Sequence, residues 1–197
     1  IRLMVTRGLK ATPFQGPSVN IGKSTVVIAA EWKQANTSKT GMKLFTVHVR
    51  RGRPDVQDPM WNSHSKLNCV SACIQAQKAG ADEGLMLDPH GFVATCNSTH
   101  FFIVRDGALW TSSGRYCLQG ITRAKVMEVA RANAMEVFEK DFSLTQVYSA
   151  DEAFCTGTFA GLIPVREVDG RSIGDGEAGP FTQKLQSYYR ALIEADC

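Results

Sequence analysis

The sequence predicts a mixed α/β fold, with short strands packed against a few helices. Three observations carry this. Short strand-like segments recur through the middle of the chain, at residues 84–88, 91–95, 100–105 and 108–111. Two stretches switch to helical spacing, one running from Asn68 to a stop at Gly80 and one over residues 121–133. The two kinds of segment are interleaved, and 197 residues hold one such large domain or slightly more.

Taken in order, residues 1–8 alternate like a strand. A lone strand cannot bury its apolar face, so these residues are expected to complete a sheet begun upstream. Residues 9–22 are rich in Pro, Gly and polar side chains and predict a linker. Residues 24–32 form a near-continuous apolar run, the pattern of a buried strand. A polar loop over 33–42, an alternating strand over 43–50 and an irregular stretch over 51–65 follow. In the first helix Val70, Cys73, Ile74 and Gln77 share a face. Asp106 and Gly107 signal a hairpin after the third strand of the middle group. In the second helix Val126, Val129 and Ala130 face inward. Strands are expected over 134–140, 153–155 and 162–168, a turn at Asp169 and Gly170, and a terminal helix over 181–195.

Composition excludes several function classes. A formal charge of +3 with scattered basic residues leaves no nucleic-acid footprint. No apolar stretch is long enough to cross a bilayer, and no signal peptide opens the chain. None of the six cysteines forms a CxxC pair, and the histidines are not spaced to complete a metal site. Cys69 and Cys73, one helical turn apart, read as free thiols on a helix face. That usage fits a reducing compartment, the cytoplasm or an organelle matrix.

Three segments can carry chemistry. Gly120 opens the second helix and is followed by Ile121 and Thr122. The first N–H groups of a helix lack internal partners, and with the helix dipole and a Thr hydroxyl they make an anion site. A plain helix start with a glycine turn fits the same residues. Thr156, Gly157 and Thr158 follow a strand, where α/β structures place phosphate ligands; a strand-ending turn that needs glycine explains them equally. Lys66 stands between a polar loop and a helix start. Against an apolar wall its amine would become a nucleophile for carbonyls, and in water it is an ordinary solvated lysine.

The order of these segments resembles the branched-chain and D-amino-acid aminotransferase family, the fold-type IV or class IV pyridoxal-phosphate enzymes. The resemblance rests on residues 79–88 with Gly91, Phe92 and Val93, then on residues 118–123. It continues through Thr156, Gly157 and Thr158, Ile163, Pro164 and Val165, Asp169 and Gly170, Ile173 and Gly174, and Gly179 and Pro180. At the front, Ile1, Arg2 and residues 5–8 are similar to the last strand of the family's small α+β domain. The organisation it implies is a small-domain strand over 1–8, an interdomain linker over 9–22 and a large cofactor-binding domain over 23–197. The cofactor it implies is pyridoxal 5'-phosphate, carried as a Schiff base on Lys66. Leu118 would pack on the ring. Gly120, Ile121 and Thr122 would bind the phosphate from one side, Gly157 and Thr158 from the other. Thr158, Phe159 and Ala160 would border the substrate carboxylate, with Arg2 as its partner. The implied activity is transfer of an amino group between a small amino acid and a 2-oxo acid, in a homodimer.

The chain departs from the family pattern at Thr95, where a glutamate is usual, at His100, where an asparagine is usual, and at a first helix about one turn shorter. A hydroxyl in place of a carboxylate leaves the pyridine ring largely neutral and a poorer electron sink. A lyase of the aminodeoxychorismate type and a non-catalytic relative therefore stand as alternatives to the aminotransferase.

Overall fold

The computed structural model describes residues 1–32 and 41–196, so most of the polar loop expected at 33–42 lies outside the described residues. The chain divides into two compact units, Ile1–Ala35 and Asn36–Cys197.

The first unit holds β1 (Arg2–Thr6), β2 (Leu9–Lys10), β3 (Asn20–Ile21) and β4 (Thr25–Ala29). β1 and β4 run antiparallel, with Arg2 opposite Ala29 and Thr6 opposite Thr25. The stretch read as a linker carries the small β2–β3 pair. The apolar run expected to be a buried strand is β4, and it is exposed at every position. A two-stranded ribbon has no second layer to cover it within its own unit. Residues 23–32, assigned by sequence to the larger domain, therefore group with residues 1–22. Gly8 turns the chain at φ +80°, and a Cβ there would collide with the Lys23 carbonyl oxygen.

The second unit runs β5 (Met42–Thr46), α1 (Leu67–Lys78), β6 (Glu83–Leu87), β7 (Val93–Cys96), β8 (His100–Arg105), β9 (Ala108–Thr111), α2 (Ile121–Ala132), β10 (Val137–Glu139), α3 (Leu144–Tyr148), β11 (Glu152–Gly157), β12 (Gly161–Val168), β13 (Arg171–Ser172) and α4 (Pro180–Asp196). The main sheet is ordered β10-β9-β8-β11-β12-β5-β6-β7, with β13 beside β12. The pairs β10–β9, β12–β5 and β5–β6 are parallel and the others antiparallel, so the expected mixed α/β class holds. β7 ends the order, yet its Cys96 N–H donates to Thr99 O beside β8 (3.0 Å), and Cys96 Sγ lies 3.7 Å from Cys155 Sγ of β11. Those contacts require the sheet to curl on itself.

β8 is buried on both faces, and its alternation divides the core. Phe101 and Ile103 join a cluster with Leu44, Leu85, Val165 and Phe142. Phe102 and Val104 join Val126, Met127 and Leu185 under α2 and α4. Phe102 stacks on Phe154 at 5.0 Å between ring centroids. Each fully buried side chain of this size contributes about 1.5–3 kcal/mol.

α1 packs differently from its predicted face. Ala72 and Ala76 are buried, whereas Val70 and Ile74 remain 47% and 48% exposed. The reason is close approach: a Cβ on Gly84 of β6 would lie 2.8 Å from Val47 Cγ1 and 3.1 Å from the Ala72 carbonyl. Only small side chains fit under a helix that near. Among the described residues no helix is long and apolar enough to cross a membrane.

Candidate active site

A cavity of about 780 Å³ opens between two unlike walls of the second unit. One wall is the irregular stretch after β5, with Arg51, Pro59, Trp61, Asn62 and Lys66, continued by Cys69 and Cys73 of α1. The other is the end of β7, the turn into β8, His100 and Leu118. Of the residues expected to hold the cofactor, Lys66, Thr95 and Leu118 line this one space.

Lys66 is the N-cap residue of α1. Its Nζ donates to Asn62 Oδ1 at 2.8 Å, and the side chain is exposed. Of the two readings left open for this amine, its exposure fits the solvated lysine, and the Asn62 amide orients it. Arg51 braces the same wall. Its guanidinium donates to Tyr116 O (2.8 Å), to Pro59 O (3.3 Å) and to Cys69 Sγ (3.3 Å). Sequence reasoning missed Arg51 because its local context is an ordinary basic loop.

The opposite wall is built by hydrogen bonds. Thr95 is buried and its hydroxyl donates to Thr99 O at 2.8 Å. The proton is thus used inside the wall, and toward the cavity Thr95 offers only lone pairs. Behind the wall stands Glu83 of β6, a buried carboxylate that accepts from the Ser98 hydroxyl and, at 2.9 Å, from the Thr99 hydroxyl. Burial pushes the Glu83 carboxyl above its ordinary range, although these hydroxyls and the Ser98 and Thr99 backbone N–H groups pull the other way. Asn97 Oδ1 accepts from Gly84 N–H at 2.6 Å, fastening the same turn to β6.

His100 connects this turn to the start of α2. Its Nε2 donates to Leu118 O at 2.7 Å in the tautomer that carries the proton there. Burial pushes the imidazole below its ordinary 6.5, the Leu118 bond opposes this, and the Arg123 and Arg51 charges add to the lowering. Gly120 has ordinary extended dihedrals, φ −69° and ψ 131°. It is a glycine for space: a Cβ would run into the His100 ring at Cε1. No side chain caps α2, so the N–H groups of its first turn, from Ile121 and Thr122 onward, lack intrahelical partners.

The end of β11 approaches from the other side. Thr156 stands opposite His100 in the β8–β11 register, fully buried, with its hydroxyl unpartnered. A Cβ on Gly157 would lie 3.5 Å from Thr99 Cγ2, so the strand end touches the same turn. Gly120, Ile121, Thr122, Gly157, Thr158, Phe159 and Ala160 are not in the cavity lining itself. Thr99 and His100 join the two glycine turns to its wall. Phe159 is 58% exposed in the β11–β12 turn. Arg2 lies on β1 in the first unit and is exposed. Among the described residues no group of three His, Cys, Asp or Glu side chains could hold a metal ion.

A cavity with a lysine amine on one wall, and helix-start and strand-end glycine turns behind the other, has the parts for holding an aldehyde-bearing phosphate ester. Residues 1–168 match the class IV amino-transferase family. This chain belongs to that family. It is similar to branched-chain-amino-acid aminotransferase-like protein 2 of Arabidopsis thaliana, 38% identical over 195 residues that cover 98% of this chain and 35% of the relative. It is also 38% identical over 199 residues to the branched-chain-amino-acid aminotransferase of Pseudomonas aeruginosa, covering 98% of this chain and 64% of that one. Among solved structures, the branched-chain amino acid aminotransferase of Thermobaculum terrenum in its pyridoxal-phosphate form superposes with a TM-score of 0.84 at 28% identity, over 91% of this chain and 60% of the other. The chain thus spans between about a third and two thirds of the length of these relatives.

Proposed function

We propose that this chain acts as a pyridoxal 5'-phosphate-dependent aminotransferase, moving an amino group between a small amino acid and a 2-oxo acid. The observation that carries the reading is the shared cavity of Lys66, Thr95 and Leu118, with two glycine turns registered against its wall. The residues fit the cofactor. An amine stands on one wall, Leu118 offers an apolar side chain, and an uncapped helix start and the unpartnered Thr156 hydroxyl lie behind His100.

When bound, pyridoxal phosphate supplies an electron sink for charge developing at an amino acid's α-carbon. Lys66 would hold it and, once freed, take the proton from the α-carbon and return it. Ile121 and Thr122 would hold the phosphate through the start of α2, with Gly157 and Thr158 opposite. With its proton given to Thr99 O, Thr95 would present only lone pairs to the ring, and so would not hydrogen-bond a neutral ring nitrogen. Thr158, Phe159 and Ala160 would border the substrate carboxylate. The role of Arg2 as a carboxylate partner rests on the resemblance alone.

The relatives named above support a branched-chain substrate, with D-amino acids as the alternative. A homodimer is supported by the apolar stripe of Leu67, Val70 and Ile74, left exposed on α1. A reducing compartment is supported by the five described cysteines, all free.

Assay of the full chain with pyridoxal phosphate separates the readings. Formation of the corresponding 2-oxo acid from leucine, valine or isoleucine, dependent on an oxo-acid acceptor, is the expected result. Turnover of D-alanine alone would move the substrate to the D-series. Pyruvate released without an acceptor would indicate the lyase. Absence of both cofactor binding and turnover would leave only the non-catalytic relative.

A further inference from the structure

One carboxylate of the second unit is buried outside the cavity and yet holds its wall. Glu83 is only 8% exposed. It receives the hydroxyls of Ser98 and Thr99. Thr99 ties the cavity wall to one of the two glycine turns. Thr99 O accepts from Thr95 and from Cys96 N–H, and Thr99 Cγ2 lies against Gly157. The next residue, His100, fills the space over Gly120 and bonds Leu118 O. Residues 99 and 100, consecutive in the chain, thus meet one glycine turn each.

We propose that Glu83 is a positioning residue for anion binding: its carboxylate fixes the turn at residues 97–100, and through Thr99 and His100 sets the spacing of the two turns that hold the phosphate. The proposal rests on the reading that this cavity binds pyridoxal phosphate. The chemistry requires an acceptor with two oxygens. A glutamine presents one oxygen and one amide, and the amide faces donors with another donor. The amide matches the carboxyl in size, so the exchange alters the hydrogen bonding without altering the volume.

The test compares two probes that differ only in the phosphate. Pyridoxal 5'-phosphate and pyridoxal are titrated into the full chain, wild type and Glu83→Gln, and the two dissociation constants are read by absorbance. Wild type is expected to prefer the phosphorylated probe. Glu83→Gln is expected to lose about tenfold of that preference, the size of effect seen when an outer hydrogen-bonding partner is removed. Binding of plain pyridoxal should stay unchanged. Replacing the donors instead, with Ser98→Ala and Thr99→Val together, should reproduce the loss, and it decides the matter if Glu83→Gln fails to fold. Equal weakening of both probes, or no change in either, would overturn the positioning role while leaving the cofactor reading intact. A wild-type chain that binds neither probe would overturn that reading and this inference with it.

Discussion

The two walls of the cavity are made in opposite ways. The wall that ends β7 and begins β8 is a lattice of hydrogen bonds anchored on two buried residues, Thr95 and Glu83, in which the half-buried Asn97, Thr99 and His100 and the exposed Ser98 each have a partner. The facing wall is irregular, and its central residue, Lys66, is exposed and steadied by Asn62. A buried polar group that loses its partner costs about 1–3 kcal/mol, whereas an exposed one turns to water for little. The difference therefore separates two jobs. In the proposed reading, one wall would keep the two glycine turns in register, and the other would leave the Lys66 amine free to form and release a bond.

This contrast can be broken by substitution. Lys66→Ala should lower kcat by on the order of a thousandfold while leaving the thermal midpoint unchanged; a variant that unfolds, or that keeps its activity, would reverse the division. Gly120→Ala attacks the rigid wall, pressing a Cβ into the His100 ring. It should destabilise the chain by about 1–3 kcal/mol, read as a shift in denaturant midpoint.

His100 gives the rigid wall a pH signature. Its folded-state pKa lies below the ordinary 6.5, mainly through burial. The unfolded chain then binds the proton more readily, so His100 contributes stability that is present above pH 6.5 and lost as pH falls through the folded pKa. His100→Asn should flatten that acid slope in denaturation series, and an unchanged slope would assign it to other groups. The smallest effect belongs to Asn62→Ala on the open wall, where stability should move by less than about 0.5 kcal/mol. A larger loss would mean that this wall is structured after all.

Much of this was legible in the sequence where local pattern and tertiary role agree. β8 and β9 fall where they were expected, and α2 ends within one residue of expectation, because each has a clean period or a clear turn signal. α1 was placed correctly but turned the wrong way: spacing favours Val70 and Ile74 as the inner face, and only the nearness of Gly84 makes Ala72 and Ala76 the buried pair. β4 read as buried because an apolar run does not say whether a second layer covers it. α3 was missed although Ser143 and Gln146 announce it, with the Ser143 N–H donating to Gln146 Oε1 at 2.9 Å. At the site the glycine turns carried a motif signal, whereas Lys66 had a weak local context and gained its weight from the resemblance of the downstream turns. Glu83 stands inside the resembling stretch 79–88 but with no role attached, because its partners are residues 98–99, fifteen and sixteen positions away.

The most direct test of the cofactor lysine is chemical trapping. The full chain loaded with pyridoxal phosphate is reduced with borohydride, digested and mapped by mass spectrometry. The added mass should fall on the peptide containing Lys66 and vanish in Lys66→Ala. A label on another lysine, or on none, would contradict the assignment.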